Sequence, residues 1–302
     1  MAQHQSMGSR HSGLRRGHTG VAMISASEAP ARLRPLSTRL SLREYLRELR
    51  ARREYLRAVP INELRAEHFD TVLGNLWFLL TPIVQTGIYM LIFGVLLNVD
   101  RGVSNYPLYL VIGILTFRLF GDAMSSGARS MRRNETLMRT LYFPRAIIPL
   151  AASIENFLRF LPGVAVMIIL ALATGETPTW RWLLLPPIFF IAFVFVTGTG
   201  LTTARLGHAI PDLANIIPHV TRLAFYSSGV LYDPTRFTDN EVALAFFDIN
   251  PLYQLLSLTR WALMNEPVTS WFWLAAPAYA LVSFLAGFIY FWRGELRYGS
   301  QR

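Results

Sequence analysis

The sequence of 302 residues contains no cysteine and no lysine, and charged residues make up only 16% of it. Without cysteine the chain forms no disulfide, thiolate nucleophile, iron–sulfur cluster or cysteine zinc site. Without lysine it cannot complete the phosphate loop G-x-x-x-x-G-K-[ST], whose lysine reaches the phosphates of a bound nucleotide. We therefore expect no cofactor on this chain, and if the protein uses the energy of ATP, another chain must bind that nucleotide and its Mg²⁺.

Hydrophobic residues, in contrast, make up 52% of the chain, and the mean hydropathy is +0.33. They form runs of about 20 residues, which is the length that crosses a bilayer as a helix. The fold class predicted is all-α, an integral membrane protein with six transmembrane helices. The six spans are predicted at residues 76–97, 106–126, 147–173, 182–204, 212–231 and 271–292.

The residues before the first span divide into two regions. Residues 1–40 are rich in Gly, Ser, His and Arg without apolar periodicity, which predicts a disordered cytoplasmic tail. Residues 41–72 carry leucines at helical spacing between Arg and Glu, which predicts amphipathic helices at the membrane interface. Ser41 followed by Glu44 is typical of a capping box, and Pro60 is expected to separate the first helix from a second segment. Residues 73–295 then form the six-helix domain, and 296–302 a cytoplasmic C-terminus.

The arginines indicate the orientation of the spans. With the N-terminus inside, 22 of the 29 arginines lie on the cytoplasmic side and four outside. The positive-inside rule therefore predicts that both termini are cytoplasmic. Because these arginines flank spans and do not cover a folded face, we expect no nucleic-acid partner. Whether the arginine-rich tail binds anionic membrane lipids is left open.

Two short apolar segments, 241–247 and 252–264, lie between the fifth and sixth spans. Each is too short to cross the bilayer, and Asn250 and Pro251 separate them. They predict two re-entrant helices that enter from the outside. A packed outer cap is the alternative that the sequence leaves open.

Charge inside a predicted span is costly and marks functional candidates, and four of the charged residues there form two pairs. Arg118 and Asp122 are one turn apart in the second span, and Glu155 and Arg159 one turn apart in the third. Helical rise puts Arg118 and Glu155 roughly 12 to 14 Å from the inner face on antiparallel helices. We therefore predict one intramembrane polar cluster that either ties the helices together or contacts substrate.

The cytoplasmic loop between the second and third spans predicts a docking helix. Asn134 is suited to cap a short helix that carries an apolar stripe, and Phe143-Pro144 would end it. Retention of the loop by its positive charge is the alternative, which explains the arginines but not the stripe. The residues predicted to contact the ATPase are Asn134, Leu137, Met138, Leu141, Phe143, Pro144 and Arg145.

These residues also carry a family resemblance. The pattern from Asn134 to Arg145, followed by Ile147-Ile148-Pro149, resembles the coupling-helix region of ABC transporter permeases that export polysaccharides. Further similar elements, over residues 60 to 295, are Trp77 and Pro82 in the first span, Asp233-Pro234, Asn250-Pro251 and Arg260. One departure is His208-x-x-Pro211-Asp212, where we expect an arginine directly before the aspartate.

The resemblance implies a transport subunit without enzyme activity of its own. It implies a homodimer in the bacterial plasma membrane with two copies of a separate ATPase docked on residues 134–145. The arginine-, glycine- and alanine-rich composition is typical of a GC-rich actinobacterium. There, the Wzm-like permease exports a lipid-linked galactan for the cell wall, which makes that polysaccharide the expected cargo. A drug or small-lipid exporter and a membrane glycosyl- or acyltransferase remain the alternatives.

A glycan passage requires aromatic rings, because sugars stack their apolar faces on them. Candidate residues share a helix face in the first span, flank Arg118, or lie in the fifth span: Tyr89, Phe93, Phe117, Phe120, Phe225 and Tyr226. Ordinary packing is the alternative for each ring. Gly198-Thr199-Gly200, inside the fourth span, indicates a close helix contact and not a nucleotide loop. No catalytic, cofactor-binding or metal-binding residue is predicted, because the chain has no Asp-x-Asp or His-x-x-x-His pair.

Overall fold

The computed structural model describes residues 41–66, 76–96, 103–140, 143–295 and 298. Within these ranges every regular element is helical and there is no strand, which confirms the all-α class. The α-helices are α1 (Leu42–Ala51), α2 (Arg53–Ala66), α3 (Trp77–Tyr89), α4 (Tyr106–Arg133), α5 (Glu135–Thr140), α6 (Ile147–Ala173), α7 (Leu185–Ala209), α8 (Leu213–Ser227), α9 (Glu241–Ile249), α10 (Pro251–Met264) and α11 (Phe272–Arg293). The predictions for residues 1–40 and for Leu141 lie outside the described residues.

Among the described residues, four helical segments are long and apolar enough to cross a membrane: α4, α6, α7 with the preceding turn Trp180–Leu184, and α11. They coincide with four of the six predicted spans, and α6 has the predicted bounds. α4 continues past the predicted end at residue 126 to Arg133, carrying two arginines in its last turn. The protein is therefore a multi-pass membrane protein.

The other two predicted spans are shorter in the structure. α3 has 13 residues and continues as a π-helix over Met90–Leu96. α8 has 15 residues, about 22 Å of helix, which is less than the hydrocarbon thickness. The helix ends at Ser227 because Gly229 adopts a positive φ of 62° and the next carbonyls are bound by other parts of the chain.

Residues 241–264 form two helices at a sharp bend. α9 and α10 are 9 and 14 residues long and meet at an angle of 85° at Asn250. Asn250 caps α10 by accepting a hydrogen bond from the N–H of Leu252 at 2.9 Å. The prediction of two short helices here is confirmed.

α7 lies at the centre and packs along α4 on one side and α11 on the other. Its contact with α11 needs glycine at two positions. A Cβ atom on Gly198 would lie 2.3 Å from the carbonyl carbon of Ser283, and one on Gly287 would lie 2.2 Å from the carbonyl oxygen of Gly198. The close helix contact predicted for this glycine segment is confirmed.

The N-terminal helices begin as predicted but break elsewhere. Ser41 and Glu44 form the predicted capping box at the start of α1. The expected separation at Pro60 is wrong, because α2 runs through this proline and the chain breaks at Arg52 instead. Proline inside the helix removes one hydrogen bond, to the carbonyl of Leu56, and the helix continues on either side.

Candidate functional site

A polar cavity of about 230 Å³ lies between α3, α4 and α6. Arg118 Nε lies 3.4 Å from Asp122 Oδ2 on α4, and Arg159 forms an ion pair with Glu155 on α6. These two ion pairs each join residues of a single helix. The charged and polar residues that line the polar cavity are Thr81, Arg118, Asp122, Ser125, Ser126, Arg129, Asn156 and Arg159.

The structure thus brings three of the four residues of the predicted cluster to one cavity. The fourth, Glu155, pairs with Arg159 one turn along α6 and does not line the cavity. The link between the two helices is a hydrogen bond that the sequence did not indicate, from Asn156 Nδ2 to Ser126 Oγ at 2.6 Å. No local sequence pattern pairs Ser126 with Asn156, so this contact required the tertiary structure.

An aromatic groove of about 320 Å³ lies beside the polar cavity, between α3, α4 and α8. The ring of Phe225 lies 5.7 Å from that of Tyr89 and 5.2 Å from that of Phe117. Phe93, Phe120 and Tyr226 extend these contacts, so the six predicted aromatic residues form one connected set across three helices. The residues lining the aromatic groove are Gln85, Tyr89, Ile114, Phe117, Arg118, Gly121, Asp122, Ser125, Pro218, Thr221, Arg222, Phe225 and Tyr226.

The six aromatic residues differ in their access to this groove. Tyr89, Phe117, Phe225 and Tyr226 line it, whereas Phe120 is buried and stacks on Phe195. The groove also contains a charge that the sequence analysis did not nominate, Arg222 of α8. Its position inside a predicted span was the signal that could have identified it.

The predicted docking helix exists as α5, but its residues face differently from expectation. Met138 is only 5% exposed, and Phe143 and Pro144 are buried. Leu137 packs against the buried hydrophobic cluster to which Met138 and Phe143 belong. These side chains pack α5 against its own chain, which covers most of the surface of Met138, Phe143 and Pro144. The exposed surface of α5 consists of Glu135, Thr136, Arg139 and Thr140, with an ion pair of 2.6 Å between Glu135 and Arg139.

Asn134 also has a different role from the one predicted. Its side-chain amide donates to the carbonyl of Ser130 at 2.9 Å and so closes the end of α4. Its backbone carbonyl accepts from the N–H of Met138 at 3.1 Å, which starts α5. The asparagine therefore joins the two helices. Its side chain contacts the end of α4, whereas a cap on α5 was expected.

Arg145 and Ala146, which directly precede α6, are held by a cluster of hydrogen bonds at the end of α11. The Tyr45 hydroxyl donates to Glu295 Oε2 at 2.9 Å and accepts from the N–H of Ala146 at 3.0 Å. Arg145 donates its backbone N–H to Glu295 Oε1 at 3.0 Å and its guanidinium to the Glu295 carbonyl at 2.6 Å. Burial raises the pKa of Tyr45 above its usual range, and the Glu295 carboxylate raises it further. The phenol therefore stays protonated and remains a donor.

Near the start of α4, Arg260 of α10 is almost completely buried, with 3% exposure. Its guanidinium donates to the carbonyls of Gly229 at 3.0 Å and Val230 at 2.9 Å, and it lies 3.4 Å from the ring centre of Tyr109. These contacts attach α10 to the non-helical residues that follow α8 and to the start of α4. Arg260, part of the family resemblance, is thus a structural anchor.

The described residues contain no group of three or more His, Asp or Glu suited to hold a metal ion. Their charged and polar groups converge instead on the polar cavity between long apolar helices. Together, the multi-pass helical fold, this cavity and the short exposed helix α5 define a membrane transport protein in architecture.

Comparison with known families agrees with this class. Residues 63–264 match the family described as ABC-2 type transporter. The chain belongs to this family and is a transporter permease, not an enzyme.

Individual relatives support the same assignment. The chain is 26% identical over 212 residues to the O-antigen export system permease protein RfbA of Myxococcus xanthus, covering 70% of this chain and 81% of the relative. It is 24% identical over 213 residues to the protein of that name from Klebsiella pneumoniae, with coverage of 70% and 81%. It is 21% identical over 208 residues to the polysialic acid transport protein KpsM of Escherichia coli, with coverage of 68% and 80%. The resemblance to permeases of polysaccharide exporters is thereby confirmed.

Proposed function

We propose that this chain is the permease of an exporter that moves a lipid-linked polysaccharide across the bacterial plasma membrane, driven by a separate ATPase. The relatives named for O-antigen export and polysialic acid transport support a polysaccharide as the cargo class. The observation that carries the proposal is the aromatic groove beside the polar cavity, because a glycan needs both ring faces and hydrogen-bonding groups. Within this class we propose cell-wall galactan as the particular cargo, on the basis of the composition.

We further propose six spans with both termini in the cytoplasm. The first span would comprise α3 and its π-helical extension, 20 residues or about 30 Å. The fifth would comprise α8 and the non-helical residues 228–231, and α9 and α10 would be re-entrant from the outside. The arginine distribution supports this orientation, since α5 and the end of α11 then lie inside.

A second copy of the chain is the partner proposed for the open side of the site. The side chains of Arg118 and Asp122 are 42% and 48% exposed, although they lie midway along an apolar helix. Contact of such charges with lipid is costly, so a protein surface should cover them. α3 and α8, which flank the two cavities, expose Ile88, Val220 and Leu223 and offer that surface to a second protomer.

The dimer can be tested because the chain has no cysteine of its own. Leu223→Cys on α8 should give a species of twice 34.3 kDa with a short bis-maleimide reagent in native membranes. The matched control is Leu274→Cys, which is 79% exposed on α11, whereas Leu223 is 71% exposed. Equal cross-linking of the two variants, or none at Leu223, would contradict the proposed interface.

The cargo is tested by depleting the protein in its native cells. We expect one lipid-linked glycan to accumulate in the membrane fraction while the same glycan decreases at the cell surface. Mass spectrometry of extracted lipids identifies it, and re-expression of the wild-type chain should reverse both changes. Accumulation of a lipid without a glycan would favour the small-lipid exporter, and no accumulation of any lipid would contradict export.

A further inference from the structure

The polar cavity and the aromatic groove meet on α4, where Arg118, Asp122 and Ser125 line both. The polar cavity is lined by three guanidinium groups, those of Arg118, Arg129 and Arg159, and by one carboxylate, that of Asp122. When Glu155, which pairs with Arg159, is included, the group has three positive and two negative charges and so keeps a net positive charge. Because charge within a membrane-spanning bundle is costly without a partner, an anion bound there would lower the free energy of the site.

The donors in this cavity suit a phosphate. A guanidinium has five N–H donors in a planar fork that matches the oxygens of a phosphate or carboxylate. Arg118 contacts Asp122 through Nε, which leaves donor capacity for a second acceptor. The hydroxyls of Ser125 and Thr81 add neutral donors to the same lining.

The adjoining groove indicates what the anion is attached to. Since Arg118 lies at the boundary, a ligand held there by an anionic group extends directly onto the rings of Phe117 and Phe225. We propose that the polar cavity binds the phosphate or diphosphate of a glycosyl lipid whose first sugars occupy the aromatic groove. This inference rests on the proposed function and names the part of the cargo that the site holds.

The arginines also define a direction of approach. Arg129 is exposed and lies eleven residues beyond Arg118 along α4, about 16 Å closer to the end at Arg133. In the proposed orientation that end is cytoplasmic. A headgroup from the inner leaflet thus meets Arg129 first and Arg118 deeper in the bundle.

Binding to the purified full-length protein in nanodiscs tests the site without an ATPase. The probes are farnesyl diphosphate and farnesol, which share the same lipid chain, and native mass spectrometry measures their affinities. Arg118→Gln and Arg159→Gln should each weaken diphosphate binding about tenfold or more, because each removes a charge-assisted hydrogen bond, and should leave farnesol unaffected. Arg181→Gln is the control, since it removes the same charge from a residue stacked on Trp261, outside both cavities.

Asp122→Asn gives a test of opposite sign. Its carboxylate competes with a bound anion for Arg118, so its removal should tighten diphosphate binding several-fold. If the cluster only ties helices together, this variant should leave binding unchanged or weaken it. Should Arg118→Gln fail to fold, Arg118→Lys keeps the charge without the planar fork and should bind the diphosphate with intermediate affinity.

Three results would overturn the inference: unchanged affinity in the arginine variants, equal binding of farnesol and its diphosphate, or equally strong competition by phosphatidylglycerol. The last would identify an ordinary phospholipid headgroup as the occupant. None of these results bears on the depletion experiment, which tests export itself. Conversely, arginine-dependent diphosphate binding without glycan accumulation in depleted cells would contradict the proposed cargo and leave the anion site standing.

Discussion

Tyr45 shows how a single side chain can connect distant parts of this chain. Its hydroxyl joins α1 to the start of α6 and to the residues after α11, positions separated by 101 and 250 residues in sequence. Ala146 directly follows residues 143–145, of which Phe143 and Pro144 are buried. The hydroxyl therefore holds the start of α6 to α1 and to Glu295 at the end of α11.

We expect Tyr45→Phe to lower the free energy of unfolding by about 1 to 3 kcal/mol, because a buried N–H and carboxylate lose their partner while the ring packing is kept. Thermal unfolding of the purified protein measures the change. Tyr290→Phe is the control, because Tyr290 is exposed and its ring remains beneath Arg205. Equal shifts in the two variants would show that the buried cluster contributes nothing.

The same residue predicts a dependence on alkaline pH. Burial raises the pKa of Tyr45 in the folded protein above the ordinary value of 10.0. Above pH 10 the unfolded chain loses this proton and the folded chain keeps it, so stability present below pH 10 decreases as the pH rises. Melting temperatures between pH 8 and 11 should fall less steeply for Tyr45→Phe than for the wild type. Parallel curves would refute this assignment.

Gly198 tests packing at the residue scale. Gly198→Ala places a methyl group against the backbone of Ser283, and we expect a loss of about 1 to 3 kcal/mol from overpacking. Gly121→Ala, on α4, meets nothing within 4 Å and should stabilise by up to about 1 kcal/mol through helix propensity. Unfolding curves of the two variants that shift in the same direction would contradict the contact.

At the scale of elements, α5 is the short helix whose exposed residues are available to a partner. Glu135→Arg should reduce co-purification of the ATPase from native membranes, because it changes the charge of the exposed face. Glu241→Arg is a matched control, since both glutamates are the first residue of a short helix. Its substitution should leave co-purification unchanged.

The double variant Glu135→Arg/Arg139→Glu separates contact from helix stability. It restores an ion pair within α5 but keeps the charges exchanged on its surface. If the exposed face contacts the ATPase, co-purification should stay low in this variant. Recovery to the wild-type level would show that the first substitution acted only by destabilising α5.

At the scale of the whole molecule, the orientation is accessible to labelling because the chain lacks cysteine. Asp239→Cys, between α8 and α9, should react with a membrane-impermeant maleimide in intact cells. Thr140→Cys, at the end of α5, should react only after the membrane is permeabilised. The reverse pattern would invert the proposed topology, and labelling of both residues in intact cells would place them on one side.

The sequence predicted some elements well and others poorly. It predicted α6 to the residue, because a long apolar run between charged loops defines a span without tertiary information. It placed the end of the fifth helix at residue 231 and not at Ser227, because hydropathy does not register the positive φ of Gly229 or the hydrogen bonds of Arg260 to the following carbonyls. It also did not show that Met138 packs within its own chain, because an apolar stripe looks the same whether its own chain or a partner covers it.

By itself the sequence determined the all-α membrane class, the family and the need for a separate ATPase. These follow from local properties, namely hydrophobic run length, missing residue types and a short ordered motif. Only the tertiary structure decided that Arg118 borders both cavities, that six aromatic rings touch across three helices and that Tyr45 binds Glu295. Such contacts depend on how helices far apart in sequence rotate and pack against one another, and no local pattern encodes that rotation.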